Sequence, residues 1–287
     1  MKKYKICKIL LVILAIFLCV AFYELLGICV AYKKQPEVSN TTKKETKNGS
    51  WNECSENTER AVIIEKNPEA LLQRVRLIKN AKKEIILSTF AFQSDESGKL
   101  ILGALHDAAD RGVHIRLLVD GMESWIDMEG NPYFYGLSSH ENVEIKLYNK
   151  ANPLNPWEMM GRMHDKYLIA DGKRYILGGR NTYNYFLGDF PGHKNYDRDV
   201  LVVCDEPEKE NSVNQLLEYF ETIWEQEDSG YFHDNKKLAN RKSVKNAVLE
   251  LQNGYQKYFE ENKERICDTD YTDETFETEK IALVSNP

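Results

Sequence analysis

The segment GRMHDKYLIADGKRYILGGRN (Gly161–Asn181) brings together residue types that can act on a phosphate ester. His164 and Lys166 are two residues apart at the start of an apolar run of strand length, so both side chains are expected on one face. An imidazole beside an unpaired ammonium is unfavourable in a core, but the pair is well suited to an anion. A neutral imidazole nitrogen could attack phosphorus and form a phosphohistidine, while the lysine neutralises a non-bridging oxygen.

The pattern continues in three residues at the end of the next predicted strand and just after it. Gly178 and Gly179 would let the backbone approach a ligand closely, and Asn181 could donate a hydrogen bond to the same phosphate oxygens. A metal site is not predicted, because no second His or Cys stands at ligand spacing and Lys166 would repel a cation.

The elements around the segment alternate between strand and helix. Residues 84–90 and 114–120 are predicted strands, and residues 98–112 between them have helical apolar spacing that ends at Gly112, a left-handed cap. This is a βαβ unit, which predicts a largely parallel sheet covered on both faces.

Further strands are predicted at residues 143–149, 166–171, 174–179 and 199–205. A helix is predicted from Ser212, with Ser212 and Gln215 as a capping box, and its aromatic residues are interpreted as core. A charged helical segment is predicted at residues 236–265.

The N-terminus carries four lysines before an apolar run from Ile9 to Tyr32, which is long enough to cross a bilayer. No small-x-small cleavage site follows, so we favour a single-pass anchor in the cell membrane over a cleaved signal peptide. Lys33 and Lys34 follow the apolar run and nearly balance the four lysines before it, so the charge bias between the two flanks is small. On that bias we place the catalytic part outside the cytoplasm.

Composition narrows the function further. The 287 residues are 42% hydrophobic, as in globular proteins, and carry a formal net charge of −7. Because the net charge is negative, we do not expect a broad basic surface of the kind that binds nucleic acid, and no nucleic-acid partner is predicted. Cys204 is interpreted as a buried thiol, and Cys54 with Cys267 is the one pair that could form a disulfide.

The segment resembles the signature of the phospholipase D superfamily, His-x-Lys-x4-Asp-x6-Gly-(Gly/Ser)-x-Asn, and matches every fixed position; Asp171 supplies the aspartate. Residues 81–121 also resemble the first βαβ unit of cardiolipin synthase-like members. The resemblance implies an α/β/α sandwich with a mixed, largely parallel sheet. It also implies a two-step transfer without metal or cofactor on a phosphodiester, often a phospholipid.

The resemblance also assigns roles. His164 would be the nucleophile, Lys166 the phosphate clamp, and Asp171 either an organiser of the pair or a turn former at the strand end. Asp199, in NYDRDVLVV, would orient the histidine or simply begin a strand.

Other residues are open to two interpretations each. His193 and Lys194 could contact a head group or belong to a solvated loop, and Gly178 and Gly179 would border the substrate. Trp157, Met159 and Met160 could line a groove for acyl chains or pack in the core.

Members of this superfamily build one site from two such motifs, and this chain has one. We expect the partner motif in a second half of a longer chain, or in a second copy within a homodimer. The apolar run Ile281–Val284 is predicted to be a strand that begins such a half.

The expected domains are a basic tail (1–8), an anchor (9–32), a polar linker (33–59), a phospholipase D-like domain (60–230), and a charged helical region with the start of a second half (231–287). The predicted activity is a phosphodiesterase or phosphatidyltransferase. The alternatives are a nuclease of the same superfamily and a non-catalytic, membrane-tethered binding module.

Overall fold

The computed structural model describes residues 2–33, 40, 43–44, 59–158, 160–207, 211–233 and 235–284. Most of the polar linker, Cys54 and Met159 lie outside the described residues, so the possible Cys54–Cys267 pair is not among the described contacts. The N-terminal apolar run forms helix α1 (Lys2–Lys33), of which Lys5–Lys33 is long and apolar enough to cross a membrane.

Within the described residues the rest of the chain folds around a nine-stranded sheet. The strands are β1 (Glu59–Ile64), β2 (Glu84–Thr89), β3 (His114–Asp120), β4 (Val143–Tyr148), β5 (Lys166–Ala170), β6 (Arg174–Gly178), β7 (Asp199–Val203), β8 (Ser229–Tyr231) and β9 (Phe276–Thr278). The helices after α1 are α2 (Asn67–Asn80), α3 (Glu96–Asp110), α4 (Gly121–Asp127), α5 (Pro132–Ser138), α6 (Ser212–Trp224), α7 (Lys242–Glu261) and α8 (Lys263–Cys267), with a 3₁₀ turn at Lys236–Asn240.

The strand order is β8-β4-β3-β2-β5-β6-β7-β1-β9, and the predicted mixed α/β sheet is confirmed. Only β2–β3 and β3–β4 are parallel pairs; the other described pairs are antiparallel. The expectation of a largely parallel sheet is therefore wrong. Helical crossovers join the parallel strands, whereas β5 and β6 are joined by a short turn that reverses the chain.

Apolar side chains alternate between two cores, one on each face of the sheet. The larger core packs beneath α2, α3, α5 and α7, and the predicted apolar face of α3 is fully buried there. The smaller core packs beneath α6 through Val213, Leu216, Phe220 and Trp224, as predicted. The capping box at the start of α6 is wrong, because the Ser212 hydroxyl donates instead to Glu59 Oε1 at 2.8 Å.

The C-terminal region packs onto the same sheet and helix layer. Helix α7 contacts α3 and α5, and β9 pairs with β1 at the edge of the sheet. Ile281–Val284 does not form the predicted strand. Instead, the backbone N–H of Leu283 donates to Gln215 Oε1 on α6 at 2.9 Å, which holds this segment against the smaller core.

Candidate active site

The ends of four central strands meet at one end of the sheet and position the histidine–lysine pair. Thr89, the last residue of β2, is opposite Lys166, the first residue of β5, and Gly178, the last residue of β6, is opposite Asp199 of β7. Antiparallel pairing thus brings segments that are far apart in sequence to one place. His164 lies two residues before the first residue of β5, at this end of the sheet.

The His164 ring is exposed and packs edge-to-face on Phe90, with ring centroids 4.8 Å apart. Among the described residues no side chain or backbone group forms a hydrogen bond with this ring. Partial burial, together with the positive charge of Lys166, lowers the pKa of His164 below its ordinary value. The imidazole is therefore neutral at neutral pH, and a neutral ring has a nitrogen lone pair for attack.

The side chain of Lys166 lies beside that ring and is largely withdrawn from solvent. Its Nζ donates to the His164 carbonyl oxygen at 2.7 Å and lies 5.2 Å from the centroid of the Phe90 ring. Burial lowers the pKa of Lys166 to about 8, although the charges of Asp165, Asp197 and Asp120 oppose this shift. The ammonium is thus mainly protonated at pH 7 and has donors left for an anion.

A cavity of about 290 Å³ lies against this pair. His164, Lys166 and Gly178 border it on the sheet side, and Tyr219 of α6 borders it opposite. The Tyr219 hydroxyl donates to Asp165 Oδ2 at 2.8 Å, and burial raises the pKa of this carboxyl. Leu283 and Val284 complete the wall, so the C-terminal segment that was expected to begin a second half borders this site instead.

The backbone before His164 is fixed by Asp120, a residue that the sequence analysis missed. Its fully buried carboxylate accepts hydrogen bonds from Arg162 Nε at 2.9 and 3.0 Å and from the Met163 backbone N–H at 3.1 Å. The same carboxylate caps the N-terminus of α4. The only sequence signal was a carboxylate at the end of the predicted strand 114–120, and it does not indicate a contact with the segment before His164.

The two glycines of the motif make room for carboxylates. A Cβ on Gly178 would lie 2.2 Å from Asp199 Oδ1, and one on Gly179 would lie 2.1 Å from Asp197 Oδ2. Gly178 also borders the cavity, whereas Gly179 does not line it. Asp197 was also missed by the sequence analysis; it is exposed and close enough to raise the pKa of Lys166.

Comparison with known proteins agrees with this geometry. Residues 74–224, which are 151 of the 287 residues, match the family described as cardiolipin synthase, PLD-like domain. The chain belongs to this phospholipase D-like family. The predicted family and fold class are thereby confirmed.

Several relatives of this phospholipase D-like chain are longer than it is. A protein of Helicobacter pylori strain J99 is 31% identical over 212 residues, which cover 69% of this chain and 39% of that protein. Cardiolipin synthase C of Escherichia coli K12 is 29% identical over 171 residues, which cover 55% of this chain and 34% of that protein. The chain therefore spans less than half the length of either relative.

A solved structure supports the fold. The phosphatidylserine synthase of Haemophilus influenzae Rd KW20 superposes with a TM-score of 0.51 at 18% identity, covering 77% of this chain and 48% of that one. The mixed sheet with helices on both faces is thus a phospholipase D-like fold.

Asp199 does not contact His164 in this phospholipase D-like site. Its buried carboxylate accepts a hydrogen bond from Arg74 Nη1 at 2.9 Å and pairs with Arg180 Nη1 at 3.3 Å. Both arginines bind Oδ2, whereas the buried Oδ1 has no hydrogen-bond partner among the described residues, and the interpretation of Asp199 as the residue that orients the histidine stays a prediction. Asn181 is also buried, and its Oδ1 accepts the Ala91 backbone N–H at 3.2 Å. It fixes the segment next to Phe90 and does not line the cavity.

Asp171 lies at the opposite end of β5, roughly 16 Å from Lys166 at the rise of an extended strand. It adopts a left-handed backbone with φ of 55°. Its carboxylate accepts the backbone N–H groups of Lys82, Lys83 and Glu84 at 2.7 to 3.1 Å. Asp171 is thus a turn former that anchors the start of β2, and its assignment to the catalytic group is wrong.

His193 and Lys194 make their contacts within the loop before β7. His193 Nε2 is 2.9 Å from Asn195 Oδ1, and Lys194 Nζ donates to the Asn184 carbonyl at 3.1 Å. Neither side chain borders the cavity, and a role in head-group binding stays a prediction. The described residues contain no group of three or more side chains placed to hold a metal ion.

Proposed function

We propose that this chain is a membrane-anchored phospholipase D-like enzyme that transfers or hydrolyses phospholipid phosphodiesters through a phosphohistidine on His164. The observation that carries this proposal is a neutral imidazole without a hydrogen-bond partner among the described residues, beside a protonated lysine at the wall of a cavity. The family match and the names of its relatives, which include a cardiolipin synthase, support phospholipid as the substrate class.

In the first step a ring nitrogen of His164 attacks phosphorus, forming an N–P bond as the bond to the departing alcohol oxygen breaks. In the second step water or an acceptor alcohol attacks phosphorus, the N–P bond breaks, and His164 is regenerated. The proton that the attacking hydroxyl loses is taken by the base that remains after the acid of the first step has protonated the departing alcohol oxygen. Lys166 stabilises the negative oxygens in both transition states, a contribution typically worth about 10²–10³ in rate. Asp120 positions the backbone of His164, and the Tyr219–Asp165 pair forms part of the opposite wall.

The departing alcohol oxygen requires a proton, and a positioned acid typically contributes about 10²–10⁴ in rate. Among the described residues no other histidine contacts His164. We therefore assign the acid to a second motif, supplied by the remainder of a longer chain or by a second copy in a homodimer. The greater length of the relatives supports the first source.

Helix α1 supports the cell membrane as the location, with the catalytic domain on the far side of the anchor from the cytoplasm. Its four N-terminal lysines are consistent with this orientation.

The test is to trap the intermediate on the full chain. Incubation with phospholipid labelled in its phosphatidyl part, followed by a rapid quench, should give acid-labile label on the wild type and none on His164→Ala. His114→Ala is the matched control, since that histidine lies at the start of β3 and pairs with glutamates. Label on His164→Ala, or activity abolished by EDTA, would contradict the mechanism. Cleavage of DNA without lipid turnover would favour a nuclease.

The source of the second motif is tested separately. Light scattering coupled to an activity titration should show a monomer with very low activity that regains activity when a downstream half is supplied. A dimer whose full activity persists on dilution would show instead that two copies of His164 share one site.

A further inference from the structure

The segment that leads into His164 lies directly on helix α1. We call residues 150–161 the proline loop; Met159 within it lies outside the described residues. The Tyr23 hydroxyl of α1 donates to the Leu154 carbonyl at 2.7 Å, and the Tyr23 and Trp157 rings are 6.1 Å apart, edge to face. Gly27 is buried against Pro156, where a Cβ would lie 2.4 Å from the proline ring. The catalytic domain thus contacts α1 through the chain that carries its nucleophile.

The position of this contact along α1 sets its depth in a membrane. Gly27 and Tyr23 precede Lys33, the last residue of α1, by six and ten residues. At the helical rise these separations correspond to about 9 Å and about 15 Å along the axis. With Lys33 at the outer face of a head-group layer about 5–7 Å thick, the Gly27–Pro156 contact lies close to the boundary between head groups and acyl chains, and the Tyr23–Leu154 contact lies several Å deeper, among the acyl chains.

The backbone of the proline loop is suited to that environment. Backbone polar groups without partners are costly away from water. In this loop Leu154 N donates to Asn152 Oδ1, Asn155 N to the Asn152 carbonyl, and Glu158 N to the Asn155 carbonyl, at 2.9 to 3.1 Å. The two prolines have no N–H to satisfy. These three backbone donors of the loop are therefore paired within it.

The loop exposes several apolar side chains, together with the charged side chains of Lys150 and Glu158. Leu154 is 78% exposed, and Trp157 and Met160 are also exposed. Helix α4 adds Trp125 and Ile126, likewise exposed; it is tied to the end of the loop because Arg162 pairs with Glu123 at 3.0 Å. Tryptophan favours the interface between lipid and water, where its ring is buried and its N–H is solvated.

We propose that the proline loop and Trp125–Ile126 form a docking surface for the bilayer that holds α1, so that His164 receives phospholipid from that same membrane. This inference rests on the proposed function for its substrate and on the contacts with α1 for its partner. Only two residues separate Gly161 from His164, so a loop at the acyl boundary places the nucleophile at the level of lipid phosphates. A soluble partner would not explain why the loop packs on a membrane-spanning helix.

The first test measures depth without requiring activity. The full chain is reconstituted in vesicles containing phosphatidylcholine brominated near the glycerol end of its acyl chains, and tryptophan emission is recorded. We expect Trp157→Phe to remove a large part of the quenchable emission. Trp224→Phe should leave that part unchanged, since Trp224, the last residue of α6, is buried in the core. If Trp157 emission resists quenching in lipid, the surface is covered by protein, such as a second copy, and the proposal is overturned.

The second test separates docking from chemistry. Leu154→Glu should lower turnover of vesicle phospholipid by about tenfold or more, because a charged side chain is costly in the interface. It should leave hydrolysis of a soluble phosphodiester, bis(p-nitrophenyl) phosphate, unchanged. Leu249→Glu is the matched control on α7, where the leucine is also exposed. Equal turnover of vesicle lipid by Leu154→Glu and wild type would overturn the docking surface. Trp157 quenching without any phosphodiester hydrolysis would overturn the proposed function and leave the docking surface standing.

Discussion

Asp120 and Arg162 form the contact that fixes the segment before His164, with guanidinium nitrogens within 2.7 to 3.0 Å of a carboxylate that is itself fully buried. The same carboxylate accepts the Met163 N–H, one residue before His164. The backbone next to His164, the proposed nucleophile, is thus tied to the end of β3 through an ion pair and a hydrogen bond.

Asp120→Asn should therefore lower kcat by roughly 10- to 100-fold, because small displacements of a reacting group are costly. Asparagine is still a good cap for α4, so stability should fall by only about 1–2 kcal/mol. The negative charge of Asp120 raises the pKa of His164, and its loss should move the acid limb of the pH–rate profile to lower pH. Asp107→Asn, which loses pairs with Lys79 and Arg111 on another surface, is the control. An unshifted acid limb with reduced stability would reduce Asp120 to a structural residue.

The second prediction concerns the alkaline limb. The proposed mechanism requires a neutral His164 and a charged Lys166, so activity should rise with pH through the lowered pKa of the histidine and fall as pH passes about 8. Lys166→Arg should move the fall to higher pH, since a guanidinium stays charged far above pH 8, although its different shape should lower the maximum rate. The measurement is kcat/KM against pH. An alkaline limb that stays in place in Lys166→Arg would assign it to another group.

Much of this site was predictable from local sequence, and the remainder depended on sheet topology. His164 and Lys166 share a face because of strand alternation, which needs no tertiary information. The sequence analysis grouped Asp171 with the catalytic residues, although its separation from Lys166 was predictable. Five extended residues carry it to the other end of β5. Asp120 and Asp197 could not be found in this way, since sheet topology, and not spacing along the chain, brings them here. Asp120 ends β3, which pairs in parallel with β2, and Asp197 precedes β7, which pairs antiparallel with β6.

The third prediction separates the two interpretations of Asp199. Asp199→Asn leaves Arg74 and Arg180 buried without a full counter-charge, and breaking such pairs typically costs about 3–5 kcal/mol. We expect a large fall in the free energy of unfolding in urea, with labelling of His164 retained in the folded fraction. Asp205→Asn, which loses an exposed pair with Arg174, should change neither. Lost labelling at an unchanged unfolding midpoint would support the orienting role.

The fourth prediction concerns Asp171. Asp171→Ala removes the acceptor for three backbone N–H groups and puts alanine at a positive φ, so stability should fall by about 2–3 kcal/mol. Because the residue lies at the far end of β5, kcat measured well below the melting temperature should stay near that of the wild type. A calorimetric scan paired with kinetics checks both parts. A large fall in kcat with an unchanged Tm would place Asp171 back in the catalytic group.

The last prediction concerns Asp197, whose carboxylate lies against Gly179 and close to Lys166. Burial lowers the pKa of Lys166 to about 8, and the negative charge of Asp197 is one of the effects that hold it up. Asp197→Asn removes that charge, so the pKa of Lys166 should fall further and the alkaline limb should move below pH 8. Activity at pH 6.5 should change little by comparison, because the lysine is still protonated there. Asp189→Asn, an exposed carboxylate in the same loop, is the matched control and should leave the limb in place. If the limb moves to higher pH, or moves equally in both variants, Asp197 does not act on Lys166.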